Sequence, residues 1–396
     1  MKKLLRARTL LPVTSPPIDN GALVINGPLI ETVGRFEDIR RSYPGLSVDD
    51  LGDVMLMPGL VNAHTHLELT ELRDAIPEGL DFVSWLMELV RKKRKLSVGD
   101  LVASARRGAG QCVTGGVTAV GDIATSDEVV KAVLQGPLAG VVFREVIGDD
   151  EPPMLPSSIS SAMKAGLSPH STYTVPSASF SRIAKLADPL AIHAAESPEE
   201  VAFLKDGSGP IADKIYSMAR WPLPKPSGLS PIAFLESTGI LAAKPLLIHG
   251  VQVNEDDVRI IARHGLSVAH CPASNRRLGV GRFPFELYRR QGVNVALGTD
   301  SAIGTKRLDM FEEMREVKRL HGSAISCEET VRMATINGAI ALGIDAGALE
   351  AGKRADITAL SMDVATDDPY MTVVEEGRAE AVKIVLIGGE TPGSSR

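Results

Sequence analysis

Along the middle of the chain, about 58–344, short apolar runs alternate with longer stretches whose apolar residues recur every three to four positions. Eight of the short runs read as strands: GLVNAHTH (59–66), TAVGDI (118–123), GVVFREVIG (140–148), GLSPHSTYT (166–174), LAIHAAE (190–196), LLIHGV (246–251), SVAHCP (267–272) and NVALGTD (294–300). Apolar runs this short and this continuous belong to strands covered on both faces, as in parallel sheets. Between them, DFVSWLMELVRKKRKL (81–96), GDLVASARRGAGQCV (99–113) and EDDVRIIARHG (255–265) carry the helical period. Strand followed by helix, repeated around eight strands, predicts an α/β fold of the closed (β/α)8 TIM barrel type rather than an open sheet.

The two ends of the chain have a different texture. LLRARTLLPV, GALVINGPLIETVG and DVMLMPG near the start, like GALEAGKRADITALS and AVKIVLIGGE near the end, are short β-rich runs, broken in the first segment by Asn-Gly and Gly-Pro. That punctuation marks hairpins, not helices. The expected organisation is a small β-sandwich domain from residues 1–57 plus 345–396, beside a barrel of residues 58–344. The Pro-rich stretch WPLPKPSGLSP (221–231) is expected to loop over the barrel mouth, the face where catalytic loops gather.

Composition narrows the function classes. A chain of 396 residues has room for a barrel plus a small module, and a formal net charge of −6 gives no electrostatic case for nucleic-acid binding. No apolar run approaches the roughly 20 residues that span a bilayer. The start, MKKLLRARTLLPV, reads as a first strand, because its arginines interrupt the apolar run that a signal peptide needs. Cys112, Cys271 and Cys327 are odd in number and far apart. They predict reduced thiols in a cytoplasmic protein, not disulfides or a cysteine zinc site.

The histidines change the picture. Of the 8, His64, His66, His170, His193, His249 and His270 lie at or near the C-terminal ends of predicted strands, whereas His264 and His321 fall in helical stretches. A lone strand histidine is usually a packing residue, but barrel strand ends converge on one mouth, where separate segments build a single site. His64 and His66, at i and i+2, share one face of their strand and can grip one ion. His193 and Asp300 end two later strands and complete three neutral imidazoles and a carboxylate. Such a set suits one divalent ion, Zn²⁺ first, with Fe²⁺ as the alternative. A closed structural site would more often use cysteine.

PGLVNAHTHLE, SPHSTYT, IHAAES, LIHG, HCPASN and LGTDS, in this order, resemble the amidohydrolase superfamily, and within it the branch of cytosine, guanine and adenosine-type deaminases and chlorohydrolases. GALEAGKRADI (347–357) extends the resemblance to nearly the whole chain. The resemblance implies that His64 and His66 are strand-1 metal ligands, His193 the strand-5 ligand and Asp300 the strand-8 ligand. It places His249 near the attacking water and the leaving group, makes Glu196 of the H-x-x-E motif a proton shuttle to a ring nitrogen, and makes His170 a substrate contact. Binuclear relatives carry a strand-4 lysine; GLSPHSTYT has none, and strand 3 offers only Arg144 and Glu145, so one metal is implied.

The implied reaction is hydrolytic deamination of an amino-substituted nitrogen heterocycle. A coordinated water, acidified from about 15.7 to near 7, supplies hydroxide. Glu196 protonates the ring, Asp300 accepts the water's proton and His249 polarises the hydroxide. HTHLE, FVSWL with its basic helix, HAAESPEEVAFL and GSGP resemble the 6-amino-6-deoxyfutalosine deaminases of menaquinone biosynthesis, whose substrate is an adenine nucleoside bearing a benzoate. Trp85 and Phe82 then either stack on a ring or pack their helix. Arg144, Arg91 or Arg94 would meet the carboxylate, although RKKRK (91–95) also reads as a solvated face, and Ser274 and Asn275 would line the mouth or form a turn. Deamination of S-adenosylhomocysteine, methylthioadenosine or adenosine is the alternative, followed by chlorohydrolase or amide hydrolysis. A non-enzymatic scaffold is disfavoured because every expected ligand is present. The expected partner is a small heterocycle, with no nucleic acid and no membrane; a homodimer is left open.

Overall fold

In the computed structural model, which describes residues 2–149, 151–155, 162–186, 188–303, 307–362 and 366–393, all eight middle strands form. They are β1 (Leu60–Thr65), β2 (Val117–Ala124), β3 (Ala139–Val146), β4 (Met163–Pro169), β5 (Ala191–Ala194), β6 (Leu246–His249), β7 (Ser267–His270) and β8 (Asn294–Leu297). Neighbours pair in parallel as two sheets, β1 to β4 and β5 to β8. Parallel bridges join the sheets edge to edge, Leu167 with Leu190 and Ser171 with His193 on one side, Thr65 with Asp300 on the other. The strand order thus returns to its start, the ring of a β/α barrel. Every residue of β1, β2, β5 and β6 is buried, which is why these runs lack polar alternation.

The seam between β1 and β8 is closed by side chains. Asn62 donates through Nδ2 to Thr299 Oγ1 (2.8 Å), the Thr299 N–H returns to Asn62 Oδ1 (3.0 Å), and the Thr65 hydroxyl donates to the Asp300 carbonyl (3.1 Å). Gly298 permits the approach, since a Cβ there would sit 2.9 Å from the backbone and Cβ of His64. The seam therefore carries Asp300 to the side of His64.

Three helices frame the mouth: α1 (Phe82–Lys93), α2 (Pro198–Asp206) and α3 (Pro272–Leu278). The chain ends join in one seven-stranded sheet, in the order Val382–Leu386, Ile357–Leu360, Met55–Pro58, Lys2–Leu10, Ile18–Asn26, Leu29–Arg35, with Val48–Asp50 also paired to Lys2–Leu10. The second facing sheet that a sandwich needs is not formed among the described residues. The hairpin reading also overlooked two helices in these segments, Phe36–Ser42 and Pro369–Glu376. The first buries only Ile39, so it has no apolar period to read. The second did announce itself, with Asp368 as N-cap and Pro369 in its first turn. No helix among the described residues is long and apolar enough to cross a membrane.

Candidate metal centre and active site

Four imidazoles and two carboxylates meet where β1, β5, β6 and β8 end. Nε2 of His64 and Nε2 of His66 each lie 3.5 Å from Asp300 Oδ1. Donors 2.0–2.1 Å from a shared ion at near-tetrahedral angles stand about 3.4 Å apart, so this spacing fits. The His193 ring centre is 5.0 Å from that of His64 and 5.5 Å from that of His66. Its Nδ1 lies 2.9 Å from the His170 carbonyl and must donate to it, leaving Nε2 with a bare lone pair. Both ring nitrogens of His64 are buried without a hydrogen-bond partner. Leaving such an atom unsatisfied costs about 1–3 kcal/mol, and an ion at Nε2 would remove part of that cost. On chemistry and spacing, the residues fit a borderline divalent ion.

Burial pushes the His66 and His193 imidazoles well below their usual range, and the neighbouring rings push further; burial, helped by the charge of Lys93 and opposed by Glu145, lowers His170. His249 falls to about 4, again mainly through burial. The rings are therefore neutral, with free lone pairs, at pH 7. A stability prediction follows for metal-stripped protein. The ordinary imidazole value is 6.5, so below that pH the unfolded chain takes up a proton that folded His249 refuses. Its contribution is complete above pH 6.5 and is lost progressively as pH falls toward 4, by roughly 3 kcal/mol in all. Denaturant unfolding of chelated protein should show this loss on top of that from His66 and His193, and His249→Gln should make the pH dependence shallower; identical slopes in the two proteins would contradict it.

The mouth is built from strained turns. Ala195, His249 and Asp300 have φ of 53°, 73° and 57°, the left-handed region that non-glycine residues avoid, at about 1–3 kcal/mol each. Each lies at or just beyond the end of its strand. After Ala195 comes Glu196, whose N–H is accepted by Glu200 Oε2 at 2.8 Å. Glu200, pushed up to about 7 by burial, takes the Thr172 hydroxyl on its other oxygen. Ser197 caps α2 and Pro198 occupies its first turn, so the helix starts directly behind Glu196. Glu200 and Thr172 were not singled out in the sequence, where Glu200 is one of several acids in a helical first turn.

Glu196 Oε1 lies 3.4 Å from His249 Nε2. Burial pushes the Glu196 carboxyl well up, and the charges of Asp300, Glu200 and Glu199 add to this, which favours its protonated form. Burial would raise Asp300 as well, but His64, His66 and His249 outweigh it and hold that carboxyl well below the usual range. One site thus favours a neutral acid at one position and a carboxylate at the other.

The remaining candidates divide. Ser274 donates to Asp300 Oδ2 (2.6 Å) and Asn275 Oδ1 accepts from His249 Nδ1 (3.0 Å), so both sit behind the site, orienting its residues, rather than along the mouth. Arg91 pairs with Glu88 on the solvated face of α1. Arg144 is tied to Asp127 (2.9 Å) and to the Glu145 carbonyl (2.7 Å), which leaves it less free for a substrate carboxylate than expected. His270 does not join the cluster: its ring stacks on Phe283 with centres 4.1 Å apart. Trp85 and Phe82 line a small inner cavity of about 60 Å³ together with His66, His193, Glu196, His249 and Asp300. The Trp85 indole N–H is buried there without a partner. His66, Leu86 and His170 also border a larger outer cavity of about 750 Å³, whose apolar wall is Leu86, Met87, Leu89 and Val90 of α1. Arg94 lines it too, with no ion-pair partner among the described residues.

The model of the amidohydrolase family matches residues 55–391. The chain belongs to the amidohydrolase family. Among curated relatives of this amidohydrolase, 5-methylthioadenosine/S-adenosylhomocysteine deaminase of Moorella thermoacetica is 30% identical, over 98% of this chain and 93% of the relative. Aminodeoxyfutalosine deaminase of Deinococcus radiodurans is 32% identical, over 76% of each chain. Among solved structures, an adenosine deaminase from Xanthomonas campestris with bound zinc superposes with a TM-score of 0.82 at 26% identity, covering 98% of this chain and 92% of that one.

Proposed function

We propose that this amidohydrolase is a metal-dependent hydrolytic deaminase of an adenine nucleoside, and that its substrate is 6-amino-6-deoxyfutalosine. The observation that carries the reading is Glu196, a buried carboxyl 3.4 Å from His249 Nε2 on the wall of the inner cavity, where burial favours its protonated form. Such an acid protonates a ring nitrogen and makes the adjacent amine-bearing carbon electrophilic. The names of the Moorella and Deinococcus relatives support an adenine nucleoside. The outer cavity's apolar wall, and Arg94 without an ion-pair partner among the described residues, support a substrate with an apolar, carboxylate-bearing arm.

His64, His66, His193 and Asp300 would hold one divalent ion, zinc in this reading, and bound there it would supply hydroxide by acidifying a water. Glu196 gives its carboxyl proton to the ring nitrogen next to the reacting carbon, and the first proton that the water gives up restores the carboxyl over the cycle. Asp300 takes the remaining proton of the attacking oxygen at a carboxylate oxygen and passes it to the amine, which leaves as ammonia. Ser274 occupies Oδ2 of Asp300, so Oδ1 is the oxygen that faces His64 and His66. His249, with Nδ1–H fixed on Asn275, presents Nε2 to the Glu196 carboxyl and to the reacting centre. Trp85 offers its indole N–H to an acceptor on the heterocycle. In this reading residues 58–344 carry the chemistry, while residues 1–57 and 345–396 form a separate module bracing β1, as in the 2.9 Å bond from the Gly59 N–H to the Asp356 carbonyl. The three free cysteines support a reducing compartment, the cytoplasm.

Ammonia release from aminodeoxyfutalosine, methylthioadenosine, S-adenosylhomocysteine, adenosine, guanine and cytosine tests the reading. The expected result is the highest kcat/KM on aminodeoxyfutalosine, by about tenfold or more over adenosine. Preference for guanine or cytosine would overturn the nucleoside assignment. Metal-loaded protein that releases ammonia from none of them would point to another hydrolase of the family.

A further inference from the structure

Glu145, near the end of β3, is only 9% exposed and lines the outer cavity beside His170. Its carboxylate has no hydrogen-bond or ion-pair partner among the described residues. The nearby cations are engaged elsewhere: Arg144 with Asp127 and the Glu145 carbonyl, Lys93 with buried Glu68. Arg94 reaches the same cavity from its exposed rim and makes no ion pair with Glu145. With the rest of the side chain buried, the carboxylate oxygens open into the cavity and are free to accept from donors on whatever enters it.

A second metal ion is a poor candidate for that role. Ring nitrogens of His170 and His193 lie within 4.8 Å of the Glu145 carboxylate. However, His193 has a single bare nitrogen, because Nδ1 donates to the His170 carbonyl, and that nitrogen faces His64 and His66. Glu145 and His170 alone are too few ligands. An ammonium group is disfavoured as well, since Lys93, Arg94 and Arg144 line the same walls. Neutral donors remain. A carboxylate accepts two hydroxyls at once, and His170, its Nδ1 taken by Thr174 (2.8 Å) and Ser171 (3.1 Å), keeps Nε2 for a third contact.

We propose that Glu145, with His170, forms a subsite for the vicinal hydroxyls of a sugar joined to the heterocycle, and that Glu145 determines specificity for ribonucleosides over deoxy analogues. This rests on the nucleoside reading above. The test compares adenosine with 2′,3′-dideoxyadenosine in wild type, Glu145→Ala and Glu145→Gln. Wild type should favour adenosine by about 10–100-fold in kcat/KM, mostly through KM. Glu145→Ala should lose about that factor on adenosine and change by less than about threefold on the dideoxy compound, erasing the preference; Glu145→Gln, which keeps one acceptor, should fall between. Calorimetric binding of inosine and dideoxyinosine should follow the same pattern independently of turnover.

Equal losses on both nucleosides, or an unchanged adenosine value in Glu145→Ala, would overturn the subsite alone. If Glu145→Ala fails to fold, Glu145→Gln decides by the same comparison. Wild type that deaminates a free base but no adenine nucleoside would overturn the nucleoside reading and the subsite with it.

Discussion

Replacing Glu196 by glutamine should lower kcat about 10²–10⁴-fold while leaving bound metal unchanged. The substitution preserves shape, and glutamine matches the neutral form of the carboxyl that burial favours. Little folding stability is therefore at stake, and the backbone N–H that Glu200 accepts remains in place. What disappears is a transferable proton 3.4 Å from His249 Nε2. The ring nitrogen then stays unprotonated, and the carbon beside it is a poorer target. Because substrate binding is largely retained, the loss should appear in kcat more than in KM. Ammonia release together with metal analysis of the same sample is the measurement. Near-normal turnover by a metal-replete Glu196→Gln protein would remove the proton-shuttle role and, with it, the main support for a deaminase.

Much of this site was legible because a barrel converts position along a strand into position in space. His64, His193, His249 and Asp300 are far apart in the chain, yet each lies at or just past a strand end and meets the others at one mouth. The outward-facing logic fails where a side chain's direction depends on the turn beyond the strand. His270 ends β7 just as His249 ends β6, but only His249 has a left-handed φ, and only His249 joins the cluster; His270 stacks on Phe283. Nothing in LLIHG or SVAHC announces that difference, since both present a histidine after an apolar run. The same limit explains Ser274 and Asn275. As loop residues they were expected to line the mouth, but Pro272 starts α3 at once and the first turn directs them onto Asp300 and His249. Lys93 reads as one charge in a solvated basic run, whereas the structure pairs it with Glu68, fully buried after the second histidine of β1's motif. Long-range pairing of this kind leaves no local pattern to read.

Asp300→Asn should produce the other large loss, with two separable parts. Asparagine keeps the shape but is neutral and a weaker ligand, so metal affinity should fall by more than the roughly 10–100-fold typical of losing a residue that merely orients a ligand. It also removes the acceptor for the proton of the attacking oxygen, so even zinc-saturated protein should turn over about 10²–10⁴-fold more slowly. Ser274→Ala isolates the supporting contact: it removes only the 2.6 Å hydrogen bond to Oδ2 and should stay within the 10–100-fold range. Metal content after dialysis against a chelator, followed by ammonia release across a zinc titration, separates the parts. Retention of stoichiometric metal by Asp300→Asn would take Asp300 out of the ligand set. Recovery of wild-type turnover at saturating zinc would leave it a ligand and transfer the proton acceptor's role elsewhere, with His249 the next candidate, its Nδ1–H held by Asn275 and its imidazole neutral above about pH 4. The two substitutions together therefore distinguish an aspartate that holds the ion from one that also moves a proton.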